Sequence, residues 1–264
     1  MSEIRVGVLG AGGRMGAAVC AAVVAQPGLE LVAAVDPRAA GEALHGLTIG
    51  ADPRTLADAG VDVAVDFTVA DAARTNLQWC ALHGMNVVVG TTGMTDDEVE
   101  SLAGAFTRSG CLIAANFAIS AVLMMHFAQV AAPFFDTAEI VELHHDAKLD
   151  APSGTALATA RRMSEARRGA GDAKPWSPDP TRHVVAEGAR GADVDGVRVH
   201  AVRMRGMVAH PEVMLGTTGQ TLTIRQDSYD RESFMPGVML AVRYVVDHPG
   251  LTVGLEPVLG LLGR

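Results

Sequence analysis

The feature that most constrains the fold is a short apolar run leading directly into a glycine-rich loop. Residues 4–10 read "IRVGVLG" and are rich in Val and Ile, as a buried parallel strand should be. The loop "GAGGRMG" at 10–16 follows, and an Ala/Val-rich stretch then predicts a helix to about Gln26. The first, fourth and last loop residues are glycines. They permit a tight turn, close backbone approach to a pyrophosphate and close packing of helix on strand.

A second predicted strand, "ELVAAVD", ends at Asp36, twenty residues after Gly16. A carboxylate there can accept hydrogen bonds from an adenosine ribose, and the helix start after the glycines favours bound phosphate. The alternative is a glycine-rich structural turn, with Asp36 as a solvated loop acid. The order of strand, glycines, helix, strand and acid favours a dinucleotide site.

Strands and helices continue to alternate as far as residue 117. The predicted strands are 61–68, 85–93 and 111–117, and the predicted helices are 70–83 and 95–108, the latter with Thr95 as N-cap. This series predicts an α/β fold with an N-terminal Rossmann-type, doubly wound parallel sheet. Loops at the carboxyl ends of its strands should face the ligand; they are 10–16, 66–68, 90–93 and 114–117.

After about Ser120 the pattern changes and predicts a second, α+β domain with an open mixed sheet. Its elements are a helix at 119–134, a strand at 137–145, a helix from about 153–155, a loop at 169–182, and strand-like runs at 182–186, 197–203, 207–215 and 219–226. A helix at 233–247 and an apolar end resemble the first half again. We therefore expect residues 1–118 and 232–264 to form the dinucleotide-binding domain and 119–231 the second domain.

Composition limits the classes of partner. The net charge of -9 argues against nucleic acid and anionic membranes. No apolar run reaches the length of a membrane span, and the N-terminus lacks a signal-peptide pattern. Cys20, Cys80 and Cys111 are far apart and are interpreted as buried apolar residues of a reducing compartment, so a cytoplasmic location is expected. The arginine pairs at 161–162 and 167–168 are interpreted as a solvated helix face.

Residues 144–156, "HHDAKLDAPSGTA", concentrate titratable groups directly before a predicted helix start. A metal site would use Glu142 with the neighbouring histidines and aspartates. In a strand, however, His144 and His145 point to opposite faces and cannot readily share one ion. No metal is therefore expected. A structural polar cluster is a second alternative.

The favoured interpretation is acid–base chemistry on a small anion. Histidine passes protons near neutral pH, and Lys148 supplies a cation or a proton. Gly154 and Thr155 fall at the helix start, where free N–H groups and the threonine hydroxyl can receive a carboxylate. Together with a dinucleotide site, this cluster predicts reduction of a small carboxylated molecule.

The motifs "GAGGRMG", "DFT", "GTTG", "ANF" and above all "ELHHDAKLDAPSGTA" resemble the dihydrodipicolinate reductase (4-hydroxy-tetrahydrodipicolinate reductase) family of lysine and diaminopimelate synthesis. The resemblance runs through the whole chain in the family's order. "GARGADVDGVRVHAVRMRGMVAH" and "FMPGVMLAVR" resemble its actinobacterial branch.

The resemblance implies specific roles. His144 is the acid/base group, Lys148 the proton donor, and His145, Gly154 and Thr155 bind a cyclic dicarboxylate. NADH or NADPH is held by Gly10, Ala11, Gly12, Gly13, Arg14, Met15, Asp36, Gly90, Thr91, Thr92, Ala114, Ala115, Asn116 and Phe117. The resemblance also implies a homotetramer built through the sheet of the second domain, which makes that domain one for substrate binding and oligomerisation.

One position departs from the family pattern. Ser120 stands where the family usually has glycine after the "ANF" motif. A serine there would strain the backbone if the position needs a positive φ, so domain closure or turnover rate is the property in question. The rival functions are another nicotinamide-dependent dehydrogenase of a small amino or keto acid, and a dinucleotide-binding regulator without catalysis.

Overall fold

The computed structural model describes residues 3–171 and 174–261. The chain divides into two compact units: unit 1 comprises Met1–Ile119 and Arg231–Arg264, and unit 2 comprises Ser120–Asp230. The C-terminal segment thus returns to the unit formed by the first 119 residues.

Unit 1 is built on a six-stranded sheet in which every neighbouring pair is parallel. Its strands are β1 (Ile4–Leu9), β2 (Leu29–Val35), β5 (Val63–Asp66), β6 (Asn86–Val89), β7 (Gly110–Ile113) and β13 (Gly250–Val253), in the order β13-β7-β6-β5-β1-β2. A small hairpin of β3 (Ala43–Leu44) and β4 (Leu47–Thr48) follows β2. The strand order reverses between β1 and β5, and such a switch point is where open α/β sheets bind ligands.

The helices of unit 1 are α1 (Arg14–Ala25), α2 (Arg54–Asp58), α3 (Ala70–His83), α4 (Asp96–Ala105) and α7 (Met235–Val246). All residues of Val63–Asp66 and Gly110–Ile113 are buried, and all but Asp66 are apolar or glycine, as expected where helices cover a parallel sheet. Thr95 caps α4 through a complete capping box with Glu98, which confirms the predicted start of that helix.

Unit 2 contains an open five-stranded mixed sheet, and this confirms the predicted fold class. Its strands are β8 (Thr137–His144), β9 (Ala192–Val194), β10 (Val197–Arg203), β11 (Ala209–Thr217) and β12 (Gln220–Arg225), in the order β12-β11-β8-β10-β9. β8 and β10 are parallel and the other pairs are antiparallel. The helix α5 (Ile119–Ala131) precedes the sheet and α6 (Gly154–Gly169) connects β8 to β9.

The predicted strand at 182–186 is wrong. These residues form no strand, and Val184 and Val185 are 58% and 89% exposed. Two adjacent valines gave a strand-like run, but the run has no sheet neighbour and no apolar face to bury. The sheet edge is instead Ala192–Val194, which the sequence prediction missed. In the predicted loop at 169–182, residues 174–182 have no helix or strand, while 172–173 lie outside the described residues.

Two smaller predictions also need correction. The helix predicted at 119–134 ends at Ala131 and continues as a 3-10 turn over Ala132–Phe134, because Pro133 lacks the N–H that an α-helix needs. The arginine pairs are not uniformly solvated. Arg167 is buried, donates to the carbonyls of Ala132, Phe135 and Lys174, and lies over the ring of Trp176.

Of the helices within residues 3–171 and 174–261, none is long and apolar enough to cross a membrane.

Candidate active site

The glycine loop of unit 1 is held in a conformation that side chains would disrupt. Gly10 has a φ of +81°, and a Cβ there would lie 2.9 Å from the Phe67 carbonyl oxygen. A Cβ on Gly16 would lie 2.0 Å from the Gly10 carbonyl oxygen, so α1 packs on the loop only without a side chain at that position. Gly13 is the N-cap of α1 and offers no side-chain cap. The first N–H groups of this helix therefore remain available to an anion.

Asp36 lies against the glycine loop. Its Oδ2 accepts the Gly12 N–H at 3.1 Å and its Oδ1 accepts the Arg38 N–H at 2.9 Å. Each carboxylate oxygen keeps capacity for a further donor such as a ribose hydroxyl. Asp36 is half-buried, so it is not a fully solvated acid. Arg14 is exposed at the first position of α1, and Arg38 is exposed after Pro37.

Asp66, which the sequence prediction did not single out, joins two of the predicted ligand loops. It ends β5 and is 0% exposed. Its Oδ1 accepts the Thr68 N–H at 2.9 Å and the hydroxyls of Thr68 and Thr91 at 2.7 and 2.9 Å. Its Oδ2 accepts the Asn76 amide at 2.8 Å. The carboxylate therefore fixes the loop after β5 to the loop after β6. The only sequence signal was its place at the end of the strand, in "DFT".

The remaining residues predicted to hold the cofactor lie at the same sheet edge. A Cβ on Gly90 would lie 2.0 Å from the ring of Phe67, and that ring stands 5.8 Å from the ring of Phe117. Asn116 accepts the Ala118 N–H at 2.8 Å. Within unit 1, Met15 lies in the first turn of α1. The structure places the others in loops that follow β1, β6 and β7: Ala11, Gly90, Thr91, Thr92, Ala114, Ala115, Asn116 and Phe117.

In unit 2, a buried carboxylate organises the predicted catalytic segment. Glu142 lies in β8 at 0% exposure, and its Oε2 lies 2.5 Å from Nδ1 of His144. Its Oε1 accepts the Ser153 N–H at 3.0 Å, and Arg203 donates to both oxygens at 2.9 Å. Sequence reasoning had considered Glu142 only as a metal ligand. Its partners lie up to 61 residues away in the sequence, so no local pattern revealed this cluster.

The pKa of His144 lies below its ordinary value of 6.5. Burial is the largest cause because it disfavours the imidazolium, and the cations of Lys148 and Arg203 act in the same direction. The carboxylate of Glu142 opposes them. His144 is therefore mostly neutral at pH 7 and can accept a proton. His145, the next residue, is exposed.

Lys148 lies in the loop after β8, with its side chain 21% exposed. Its Nζ donates to both carboxylate oxygens of Asp150, at 2.8 and 2.9 Å. This ammonium holds the pKa of the Asp150 carboxyl below its usual range. Lys148 also influences His144 electrostatically. The structure thus brings the predicted proton donor and the predicted acid/base group into one electrostatic environment.

The predicted anion receptor is the N-terminus of α6. Ser153 is the N-cap, and its hydroxyl accepts the Ala156 N–H at 3.2 Å. Gly154 is exposed, and a Cβ there would meet nothing within 4 Å. Thr155 is half-buried in the first turn. The α6 start can therefore present N–H groups and a hydroxyl to a carboxylate.

Two other sequence expectations concern ligands and thiols. Among residues 3–171 and 174–261, no three His, Cys, Asp or Glu side chains are grouped so as to hold a metal ion. The three cysteines are buried and unpaired, as predicted. Burial raises the pKa of Cys20 and Cys80 to about 12 and raises that of Cys111 as well, so none is a reactive thiolate.

Ser120 lies in the first turn of α5 and is exposed. The non-glycine residues with positive φ in the described part of the chain are His45 and Asp195. Ser120 therefore adopts ordinary helical backbone, and the strain considered for a serine at this position is not present. Its effect on turnover stays a prediction.

A doubly wound sheet with a glycine loop, joined to a second unit that carries a histidine, a lysine and an exposed helix N-terminus, is typical of a two-domain dinucleotide-dependent oxidoreductase. Family models narrow this class. Residues 4–117 match the model described as "Dihydrodipicolinate reductase, N-terminus" and residues 120–259 the model for the C-terminus. The chain belongs to the dihydrodipicolinate reductase family.

Individual relatives agree. The chain is 55% identical to the 4-hydroxy-tetrahydrodipicolinate reductase of Corynebacterium diphtheriae and 54% identical to that of Nocardia farcinica, covering 98% of this chain and 99% of each relative. A solved structure, dipicolinate-bound dihydrodipicolinate reductase from Paenisporosarcina sp. TG-14, is 36% identical with a TM-score of 0.86, over 97% of this chain and 99% of that chain.

Proposed function

We propose that this protein reduces 4-hydroxy-tetrahydrodipicolinate to tetrahydrodipicolinate in lysine and diaminopimelate biosynthesis. The nicotinamide of NADH or NADPH supplies a hydride to C4 of the ring. One hydride and one proton are consumed, and the 4-hydroxyl leaves as water. The proposal is carried by one observation: the His144, Lys148 and 153–155 cluster occurs in a chain whose two halves both match this family.

His144 and Lys148 are the proposed catalytic residues. His144 is mostly neutral at pH 7, because its pKa is lowered, and it serves as the acid/base group. Lys148 carries ammonium protons that are already directed at a carboxylate oxygen, and it serves as the proton donor. A substrate carboxylate can take the place of Asp150 as the partner of this ammonium.

The substrate is proposed to bind through its carboxylates. His145, Gly154 and Thr155 receive one carboxylate at the exposed start of α6, where the helix dipole and unpaired N–H groups favour an anion. Gly154 leaves room for the ligand because its position is open. The bound dicarboxylate of the Paenisporosarcina relative supports a ligand of this chemical class.

Thr155→Val is expected to raise KM for the substrate roughly tenfold with a smaller change in kcat. The change removes one hydrogen bond to a charged group, worth about 1.5 kcal/mol. Steady-state kinetics with varied substrate measure it, and Thr155→Ser, which keeps the hydroxyl, is the matched control with a KM near wild type. An unchanged KM in the valine variant would place the carboxylate elsewhere.

The dinucleotide is proposed to bind along the loops of unit 1. The loop at 10–15 and the start of α1 receive the pyrophosphate, because Gly10, Gly12 and Gly13 leave the backbone uncovered and its N–H groups are available. Asp36 is proposed to accept bonds from the adenosine ribose hydroxyls, since both of its oxygens retain capacity. Loops 90–92 and 114–117 are proposed to complete the site.

The enzyme is expected to use both cofactors, with a preference for NADH of no more than about tenfold, or roughly 1.4 kcal/mol. Asp36 favours the ribose diol and repels a 2′-phosphate, while Arg14 on α1 offsets part of that repulsion. Asp36→Ala should shift kcat/KM towards NADPH, and Arg14→Ala should shift it back. Asp36→Asn is the matched control because it removes the charge and retains an acceptor for Gly12. A wild-type preference for NADPH above about tenfold would contradict this assignment.

We also propose a homotetramer that assembles through the sheet of unit 2 and acts in the cytoplasm. Buried, unpaired cysteines suit a reducing compartment. Light scattering coupled to gel filtration should give a mass about four times 27.4 kDa. A mass of one chain at micromolar concentration would overturn the tetramer.

A substrate panel separates this function from that of another small-acid dehydrogenase. Wild-type enzyme should oxidise NADH with 4-hydroxy-tetrahydrodipicolinate and show at most about one hundredth of that kcat/KM with open-chain amino or keto acids. The cyclic dicarboxylate alone presents two fixed carboxylates to the lysine and to the α6 start. Equal activity with an open-chain acid would favour the rival class. Dinucleotide binding without any turnover would favour a regulator.

A further inference from the structure

Glu142 occupies a place where the strand pattern calls for an apolar residue. In β8, Ala138, Ile140 and Glu142 share one face by alternation, and all three are buried. A carboxylate at 0% exposure is retained only when its charge and its lone pairs are matched. Residues of unit 2 must therefore supply hydrogen-bond donors and a positive charge to this carboxylate.

Four N–H donors meet this carboxylate. Arg203 donates one guanidinium nitrogen to each oxygen at 2.9 Å, a bidentate pair, and the side chain of Arg203 is itself only 18% exposed. Ser153 donates its backbone N–H to Oε1 at 3.0 Å. His144 completes the set at Oε2. Each carboxylate oxygen thus has two partners.

The guanidinium of Arg203 extends this cluster to the rest of the segment. It also donates to the backbone carbonyls of Asp150, at 2.6 Å, and Val202, at 2.8 Å. The ion pair therefore links the end of β8, the turn before α6 and the end of β10. These are the parts of unit 2 that carry His144 and the proposed carboxylate receptor.

The pairing fixes the chemical form of the histidine. An ionised carboxylate only accepts hydrogen bonds, so Nδ1 of His144 must carry the proton. In the neutral ring, Nε2 is then the acceptor that remains for substrate chemistry. Without the carboxylate, either nitrogen could carry the proton and the ring could rotate.

We propose that Glu142, held by Arg203, is a positioning residue that fixes the orientation and tautomer of His144 and ties it to the Ser153 turn. Glu142 then holds both the acid/base group His144 and the turn that precedes the proposed carboxylate receptor. This inference rests on the proposed function for its kinetic consequences, but the coupling between Glu142 and His144 can be measured without substrate.

Glu142→Gln is expected to lower kcat roughly 10- to 100-fold, as when the orienting partner of a functional histidine is lost. KM for the substrate should also rise, because a neutral amide holds the Ser153 N–H more weakly than a carboxylate does. The dissociation constant for NADH should stay within about twofold, since unit 1 is unchanged. A purely structural effect would instead lower the melting temperature and the fraction of active enzyme, and leave the kcat and KM of the folded fraction unchanged.

The deciding readout is the titration midpoint of His144, followed by NMR on protein with 13C-labelled histidine. Glu142 raises the pKa of His144 against the lowering effects of burial, Lys148 and Arg203, which are the groups that face the ring. The midpoint should therefore move to lower pH in Glu142→Gln. The His144 signal is identified by its absence from His144→Asn.

A double variant controls for the loss of stability that an unpaired buried charge would cause. Glu142→Gln leaves Arg203 as a buried unpaired cation, so the double variant Glu142→Gln/Arg203→Met removes both charges and restores stability. The kcat of the double variant should remain below that of wild type. Its His144 titration midpoint should also remain below that of wild type, because Arg203 influences the pKa of His144 less than Glu142 does.

Glu139→Gln is the matched control. Glu139 lies on the same strand and accepts from Arg190 and His200, but its side chain is 33% exposed and both of these partners lie outside residues 142–155. Its kcat and the His144 midpoint should match wild type.

A folded Glu142→Gln or double variant with kcat within about twofold of wild type and an unmoved His144 midpoint would overturn the proposal. If wild type itself fails to reduce the substrate, the proposed function falls, but the midpoint comparison still decides whether Glu142 controls His144.

Discussion

Replacing His144 or Lys148 by alanine is expected to lower kcat by about 100-fold or more. Each change removes a group that moves a proton in the proposed reaction, and general acid–base catalysis contributes about 10²- to 10⁴-fold. The imidazole of His144 is held by Glu142 and the ammonium of Lys148 by Asp150, and the alanine variants lose both the proton-carrying group and this contact. Steady-state turnover at saturating cofactor and substrate measures the effect.

The chain offers matched controls for both variants. His183 and Lys174 are exposed and lie outside the site, and Lys174 is the one other lysine in the sequence. His183→Ala and Lys174→Ala should keep wild-type kcat. The dissociation constant for NADH should change little in His144→Ala, because unit 1 carries the dinucleotide loops. Near wild-type turnover in both catalytic variants would remove these residues from the mechanism.

Gly16→Ala is expected to weaken NADH binding by at least about tenfold, or roughly 1.4 kcal/mol. The new Cβ would lie 2.0 Å from the Gly10 carbonyl oxygen and 2.9 Å from the Ala11 Cα, and both are backbone atoms that cannot rotate away. The loop must move off α1, which displaces the N–H groups proposed to receive the pyrophosphate. Strain of this kind also lowers the free energy of unfolding by about 1–3 kcal/mol.

Gly104→Ala separates loop geometry from helix propensity. Gly104 also lies in a helix of unit 1, but a Cβ there meets nothing within 4 Å. This variant should bind NADH as wild type does and gain up to about 0.5–1 kcal/mol of stability. Fluorescence titration with NADH and thermal unfolding measure both proteins. Unaltered NADH affinity in Gly16→Ala would show that the loop does not hold the cofactor.

The fold of unit 1 could be predicted because its signals are local. Continuous apolar runs such as residues 63–65 mark strands buried on both faces, and Thr95 with Glu98 marks a helix start within four residues. The glycine loop needs residues without a Cβ at Gly10 and Gly16, and that need is visible in the sequence as the glycine spacing. Each of these patterns can be read without knowing what lies across the sheet.

The supports of the site could not be predicted in this way. Asp66 binds Thr91, 25 residues ahead, and Glu142 binds Arg203, 61 residues ahead. Neither spacing is a repeat of a helix or a strand, so the local pattern does not show which partners these carboxylates bind, although Glu142 falls at an apolar position of the strand alternation. The sequence indicated which groups are proposed to do the chemistry, and the fold was needed to find the groups that hold them.

The errors in unit 2 have a related cause. The run at 182–186 has strand-forming residues but no neighbouring strand, whereas the short edge strand Ala192–Val194 contains an aspartate and forms because Val197–Val199 pairs with it. Edge strands depend on a partner more than on their own composition. The prediction for Arg167 was wrong for the same reason, because its carbonyl acceptors are Ala132 and Phe135, in and just after the 3-10 turn, and Lys174 in the loop after α6.

The most direct test of the central claim is oxidation of the reduced nicotinamide by purified protein, with substrate generated in situ from pyruvate and aspartate semialdehyde. The decrease in absorbance of NADH, and separately of NADPH, should depend on both precursors and should stop when either is omitted. The proposed function predicts turnover with both cofactors and formation of tetrahydrodipicolinate in equal amount to the cofactor oxidised. No oxidation above the rate without substrate, by protein that binds NADH, would contradict it.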